Sequence, residues 1–148
     1  MVRLAVKKLA GKIPLIVGAG SNDTSKAVAL AKRFSALGAD YLLTITPYYN
    51  KTNASGLIQH FKAIANASSC PIILYNVPSR TGMSIPISVL KELTDHPNII
   101  GIKQASENMS DASAVACLLS AYFLMFSVNY ALIVSYTSAC LVAVMSVF

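Results

Sequence analysis

Residues 71–77 read Pro71-Ile72-Ile73-Leu74-Tyr75-Asn76-Val77, a run of apolar side chains with no alternation between polar and apolar positions. A strand with one face in water alternates, whereas a strand covered on both faces does not. The same character recurs in Leu15-Ile16-Val17, in Tyr41-Leu42-Leu43-Thr44-Ile45-Thr46 and in Ile99-Ile100-Gly101-Ile102-Lys103. Phe123 to Phe126 and Leu141 to Val147 are two further strand candidates.

Helical patterns separate these runs. Asn22-Asp23-Thr24-Ser25 offers side chains that cap a helix start. Ala27, Leu30, Ala31, Phe34 and Leu37 then recur at helical spacing up to Gly38. A second helix is expected from about Ser55 to Ala67, with Leu57, Ile58, Phe61, Ile64 and Ala65 on its apolar face. Pro86 suits the first turn of a short helix through Leu93, and another helix is expected from about Ser110 to Leu119.

Strands and helices that alternate in this way leave two α/β architectures, a doubly wound sheet or a (β/α)8 barrel. The doubly wound sheet has one motif to offer, Gly18-Ala19-Gly20, but a dinucleotide fingerprint needs a third glycine where Asp23 stands. We read it as a tight turn before a helix. A full barrel takes ~250 residues. The 148 residues here fit a partial (β/α)8 TIM barrel that lacks the first two βα units and forms a single incomplete domain over 1–148.

Composition narrows the function classes. Hydrophobic residues make up 55% and charged residues 12% of the chain, which excludes a disordered segment. The net charge of +6 is dispersed from Arg3 to Lys103 without interleaved aromatic residues, so a nucleic-acid stripe is not expected. Cys70, Cys117 and Cys140 match no metal or redox spacing and read as reduced thiols of a cytosolic protein. The basic stretch from Met1 to Lys12, followed by Ile13 to Gly18, imitates a signal peptide, but Pro14 and the helix start beyond favour a buried strand.

Three segments carry the chemistry, each at the C-terminal end of an expected strand, where barrels hold their active sites. They are Thr44 to Lys51 (TITPYYNK), Tyr75 to Gly82 (YNVPSRTG) and Gly101 to Ser106 (GIKQAS). Lys103 closes an apolar strand. A buried ammonium loses its proton more readily, and a neutral amine can attack a carbonyl carbon. The alternative is a lysine that reaches from the strand end to water, which composition and spacing alone favour. Tyr75 is either a core residue with a satisfied hydroxyl or a proton carrier. Arg80 is either a solvated loop residue or a fork for a carboxylate. His60 and His96 have no partner at ligand spacing and receive no role.

Taken together and in this order, the three segments resemble the dihydrodipicolinate synthase family, from about Lys12 to about Met109. The resemblance implies a class I aldolase in which Lys103 forms a Schiff base with pyruvate. The enamine then attacks the aldehyde of aspartate semialdehyde to give 4-hydroxy-tetrahydrodipicolinate, a step of lysine biosynthesis. It implies that Tyr75 shuttles protons and that Tyr49 crosses a dimer interface into a neighbouring subunit's proton relay. It makes Arg80 the holder of the second substrate's carboxylate, with Thr81, Gly82 and Met145 as further substrate-binding positions. It implies no metal or organic cofactor, a cytoplasmic location and a homo-oligomer, dimer or tetramer. The related N-acetylneuraminate lyases share the lysine and the tyrosine, and Arg80 favours the synthase.

The sequence also departs from the family. Its Gly-Thr-Thr-Gly-Glu segment, which binds the pyruvate carboxylate and supplies a relay threonine, does not occur here. Val128, Cys140 and Ala143 stand where glycine is usual, Tyr130 and Ala131 where acidic residues are usual, and Ser135 where proline is frequent. Asn22 matches a ligand of the family's lysine feedback site, but Lys26 replaces an acidic residue. Residues 112–148 hold no Asp, Glu, Lys or Arg, which raises a rival from another class, a non-catalytic fragment with a membrane-associated C-terminus. Ala131 to Phe148 nears spanning length, yet polar residues interrupt it and no basic residues flank it, so membrane insertion ranks well below the incomplete barrel. An open barrel is expected to leave unpaired edges at Leu15-Ile16-Val17 and at the last strand, and hence to aggregate or pair.

Overall fold

The computed structural model describes residues 1–106, residue 115, residues 124–127 and residues 143–145. In chain order the elements are α1 (Val2–Leu9), β1 (Leu15–Gly18), α2 (Thr24–Ala36), β2 (Tyr41–Ile45), α3 (Ala54–Ala67), β3 (Ile72–Asn76), α4 (Pro78–Thr81), α5 (Ile87–Thr94), β4 (Ile99–Gln104), β5 (Leu124–Ser127) and β6 (Ala143–Met145). The expected strands and the first three expected helices are present. Of the helix expected over residues 110–119, only Val115 is described, and it is helical. The departures at Val128, Tyr130, Ala131, Ser135 and Cys140 lie outside the described residues, as do Cys117 and most of the run 131–148.

Local chemistry sets the boundaries. Asp23 caps α2, its carboxylate accepting from the backbone N–H groups of Ser25 and Lys26 at 2.8 and 3.2 Å. Asn53 caps α3 by accepting from Gly56 N–H at 2.8 Å. Gly20 closes the tight turn between β1 and α2. A Cβ there would come within 2.8 Å of the Ile45 backbone nitrogen, so only glycine lets the chain pass the end of β2. Helix α1 was not expected. It carries Val2, Ala5, Val6 and Leu9 at helical spacing against the core, a pattern masked by the basic character of the stretch.

All pairings in the six-stranded sheet are parallel, in the order β5-β4-β3-β2-β1-β6. From β1 to β5 each strand lies beside the next without the reversal that defines a doubly wound sheet, so the winding is that of a barrel. The sixth strand corrects an expectation. Ala143, Val144 and Met145 pair with Leu15, Ile16 and Val17, so the β1 edge is covered and the last strand is paired on one side. Unpaired strand N–H and C=O groups are costly away from water, and β6 supplies their partners. Among the described residues the break in the cyclic order falls between β5 and β6.

The two faces of the sheet differ. On the helix face, Leu15, Val17, Leu42, Ile72, Leu74 and Ile102 pack beneath Phe34 of α2, Phe61 and Ile64 of α3 and Leu90 of α5. On the inner face a smaller cluster joins Ile16, Leu43 and Ile73 with Tyr41, Tyr75 and Ile100. Among the described residues no helix is long and apolar enough to cross a membrane.

Phe61 is fully buried beneath α3. Phe61→Ala is expected to lower unfolding stability by about 3–5 kcal/mol, read from urea denaturation. A loss below about 1 kcal/mol would mean that this helix does not seal the sheet.

Candidate active site

The site begins with an irregularity in β4. Ile99 lies opposite Ile72, but the next pairs are Gly101 with Ile73, Ile102 with Leu74, Lys103 with Tyr75 and Gln104 with Asn76. Ile100 is the extra residue of a β-bulge. Ile99 belongs to the helix-face core, and strict alternation from it would put Lys103 on that same face. The bulge shifts the count by one and turns Lys103 to the inner face, where Tyr75 also points.

Lys103 is partly buried, and its Nζ lies 4.4 Å from the centre of the Tyr75 ring. Burial, and secondarily the positive charge of Arg80, hold its pKa below the ordinary lysine range. The described residues contain one ion pair, Lys62 with Glu92, and it does not involve this lysine. The structure thus sets an amine with a depressed pKa beside a phenol, at the C-terminal end of adjacent parallel strands. Such an amine can act as a nucleophile toward a carbonyl compound.

The loop after β3 carries three of the residues singled out in the sequence. Pro78 opens the single turn of α4, and Gly82 ends it with a left-handed φ of 66°. Arg80 is exposed on this turn, close enough for its charge to act on Lys103. Thr81 is buried, and its hydroxyl donates to the carbonyls of Val77 and Met83 at 3.2 and 2.9 Å. Its side chain therefore holds the turn together. The loop after β2 runs alongside, since a Cβ on Gly82 would stand 3.6 Å from Lys51 Cε. Tyr49 in that loop is 91% exposed with φ of 68°, spanned by a bond from Asn50 N–H to the Tyr48 carbonyl at 2.8 Å. A left-handed φ at a tyrosine is a strained way to hold a ring outward. Met145 lies on β6 opposite Val17, on the far side of β1 from the Lys103–Tyr75 pair.

Other polar groups escaped the sequence reading. Asn76 and Gln104 are each 2% exposed and joined by a hydrogen bond of 3.0 Å, Asn76 Nδ2 donating to Gln104 Oε1. They follow Tyr75 and Lys103 in apolar strands, and the register that brings them together is not visible in either strand alone. Thr44 and Thr46 are fully buried, with no hydroxyl partner among the described residues. His60 is buried under α3 with Nδ1 2.8 Å from Thr24 Oγ1, and burial lowers its pKa. His96 bonds Asn66 Oδ1 at 3.0 Å and accepts from Asn98 N–H at 3.2 Å. Both histidines have structural partners. Among the described residues no three His, Cys, Asp or Glu side chains cluster as metal ligands.

Known proteins resemble the chain throughout. Residues 1–148 match the Dihydrodipicolinate synthetase family. A 4-hydroxy-tetrahydrodipicolinate synthase of Caldicellulosiruptor saccharolyticus is 52% identical over 118 residues, covering 80% of this chain and 40% of that protein. The synthase of Alkaliphilus oremlandii is 45% identical over 129 residues, covering 87% of this chain and 44% of that protein. Among solved structures, dihydrodipicolinate synthase from Aquifex aeolicus superposes with a TM-score of 0.82 at 38% identity, covering 85% of this chain and 43% of that one. The chain thus spans about two fifths of the length of these relatives.

The depressed lysine has a consequence for stability. Between its folded and unfolded pKa the unfolded chain still holds a proton that the folded chain has released, so stability rises with pH across that window. In denaturation series at increasing pH, the native chain is expected to gain stability relative to Lys103→Met as pH climbs toward the ordinary lysine value. Parallel curves would mean that the amine is unperturbed.

Proposed function

Since the chain belongs to the dihydrodipicolinate synthetase family, we propose that it carries the Schiff-base centre of a pyruvate aldolase, acting as a 4-hydroxy-tetrahydrodipicolinate synthase. The observation that carries this reading is the Lys103 amine beside Tyr75 on the inner face, pushed below the ordinary lysine pKa. Neutral Lys103 attacks the keto carbon of pyruvate, and the carbinolamine loses water to give a protonated imine. That imine draws electrons from the adjacent methyl group, which releases a proton and becomes the enamine carbon. The enamine attacks the aldehyde carbon of aspartate semialdehyde, forming the new carbon–carbon bond. The amino group of that substrate then attacks the imine carbon and displaces Lys103, which closes the ring of the product and frees the lysine. Tyr75 carries protons into and out of these steps. No metal is needed, since the protonated imine is the electron sink.

Arg80 suits the carboxylate of the second substrate, being exposed at the mouth with its charge felt at Lys103. Thr81 and Gly82 serve this role through the shape of their turn, and Met145 contributes from β6. The outward Tyr49 fits a ring destined for a neighbouring subunit and supports a homo-oligomeric working form, and membership of the family supports a cytosolic one.

Borohydride reduction with pyruvate tests the reading. A pyruvate-sized mass increase is expected on Lys103 and is expected to vanish in Lys103→Ala. No increase on the native chain, under conditions where it remains folded, would overturn the proposal. Turnover of aspartate semialdehyde against cleavage of sugar acids separates the synthase from a sugar-acid lyase.

A further inference from the structure

We infer that Asn76 is a positioning residue for the Lys103–Tyr75 pair, acting from the opposite face of the sheet through its side-chain hydrogen bond to Gln104. What the pair does chemically rests on the Schiff-base reading, whereas the geometry of the support does not. Tyr75 and Lys103 are register partners on the inner face, and the next partners, Asn76 and Gln104, lie on the helix face behind them. Asn76 Nδ2 donates to Gln104 Oε1 at 3.0 Å and to Ser84 Oγ at 3.4 Å. Its Oδ1 accepts from Ile85 N–H at 3.1 Å, and its carbonyl accepts from Ala105 N–H at 2.8 Å. One residue therefore ties the end of β3, the end of β4 and the far end of the loop that carries Arg80.

The pin has a specific task. The bulge at Ile100 is what aims Lys103 inward, and a one-residue slip of β4 would erase it and turn the lysine to the helix face. Such a slip would also separate Asn76 from Gln104. Both amides are almost wholly buried, so each separated group would lose its partner where water cannot replace it. The Nε2 of Gln104 has no partner among the described residues, so Gln104 enters the pair as an acceptor. Strands that are apolar on both faces carry less information about register than alternating ones, and a buried amide pair adds to it because it fits one register.

The test compares the native chain with Asn76→Ala, Asn76→Asp and Gln104→Met. Trace acetylation by acetic anhydride across a pH series, read at Lys103 by mass spectrometry, reports how readily that amine loses its proton without requiring any substrate. Pyruvate trapping by borohydride is measured in parallel, and circular dichroism establishes which variants fold. The native chain is expected to label at Lys103 at lower pH than its exposed lysines. In the variants that curve moves to higher pH, and trapping falls by roughly tenfold or more. Folded variants whose Lys103 labelling curve coincides with the native one overturn the inference, even if they melt at lower temperature. If Asn76→Ala does not fold, Gln104→Met, which keeps the volume and removes the amide, decides the matter by the same curve. A native chain that labels as expected but traps no pyruvate defeats the Schiff-base reading and leaves the positioning role to be decided by the labelling curves.

Discussion

The extra residue in β4 is the constraint on which the site depends. Parallel strands with apolar side chains on both faces carry no intrinsic instruction about which face a terminal lysine should occupy. Packing of Ile99 and Ile102 under the helices fixes two points with the wrong spacing for simple alternation. The chain absorbs the mismatch at Ile100 and Gly101, and Lys103 emerges on the face of Tyr75. Its partial burial and lowered pKa follow from that placement. The loop carrying Arg80 is fastened to the same strand ends, so the cation that helps to depress the lysine is held by the structure that aims it.

The sheet around this constraint keeps the winding of a barrel while using fewer strands than a complete one. Its order is cyclic apart from one break, and the last strand lies against the first, as closure of a barrel demands. Closure replaces an exposed edge by a ladder, which is worth more to a sheet covered on both faces than to one bathed by water. The helix face carries most of the core, while the inner face is a small cluster beneath Tyr75. An apolar floor of this kind lowers the local dielectric at the strand ends, and that is what perturbs a lysine.

Much of this was legible in the sequence. Unbroken runs such as residues 71–77 identified buried parallel strands, and Asp23, Gly38 and Pro86 marked helix boundaries through cap and turn chemistry. Lys103 and Tyr75 were singled out by their positions at strand ends and Arg80 by its loop, while the roles expected of them came from the family resemblance. Spacing could not decide whether Lys103 was solvated, because that depended on a bulge, which is a property of two strands and not of one. For the same reason the Asn76–Gln104 pair was missed: each looked like a polar residue at the close of a strand, and only their pairing across 28 positions gives them a role. Thr81 read as a substrate-binding position, and the folded chain engages its hydroxyl in the turn, a contact that the sequence did not announce. Helix α1 was obscured by its lysines, and the partner of the β1 edge was invisible because nothing in a three-residue strand announces which edge it will join.

That last pairing also orders events in time. Leu15 and Ala143 are neighbours in the sheet yet stand far apart in the sequence, so the loop they close is a long one. On the ribosome β1 emerges well before β6. Through that interval the nascent chain offers a bare, apolar strand to any other nascent chain nearby. A pairing so distant in sequence closes more slowly than one between neighbouring strands, whatever the stability once β6 is in place.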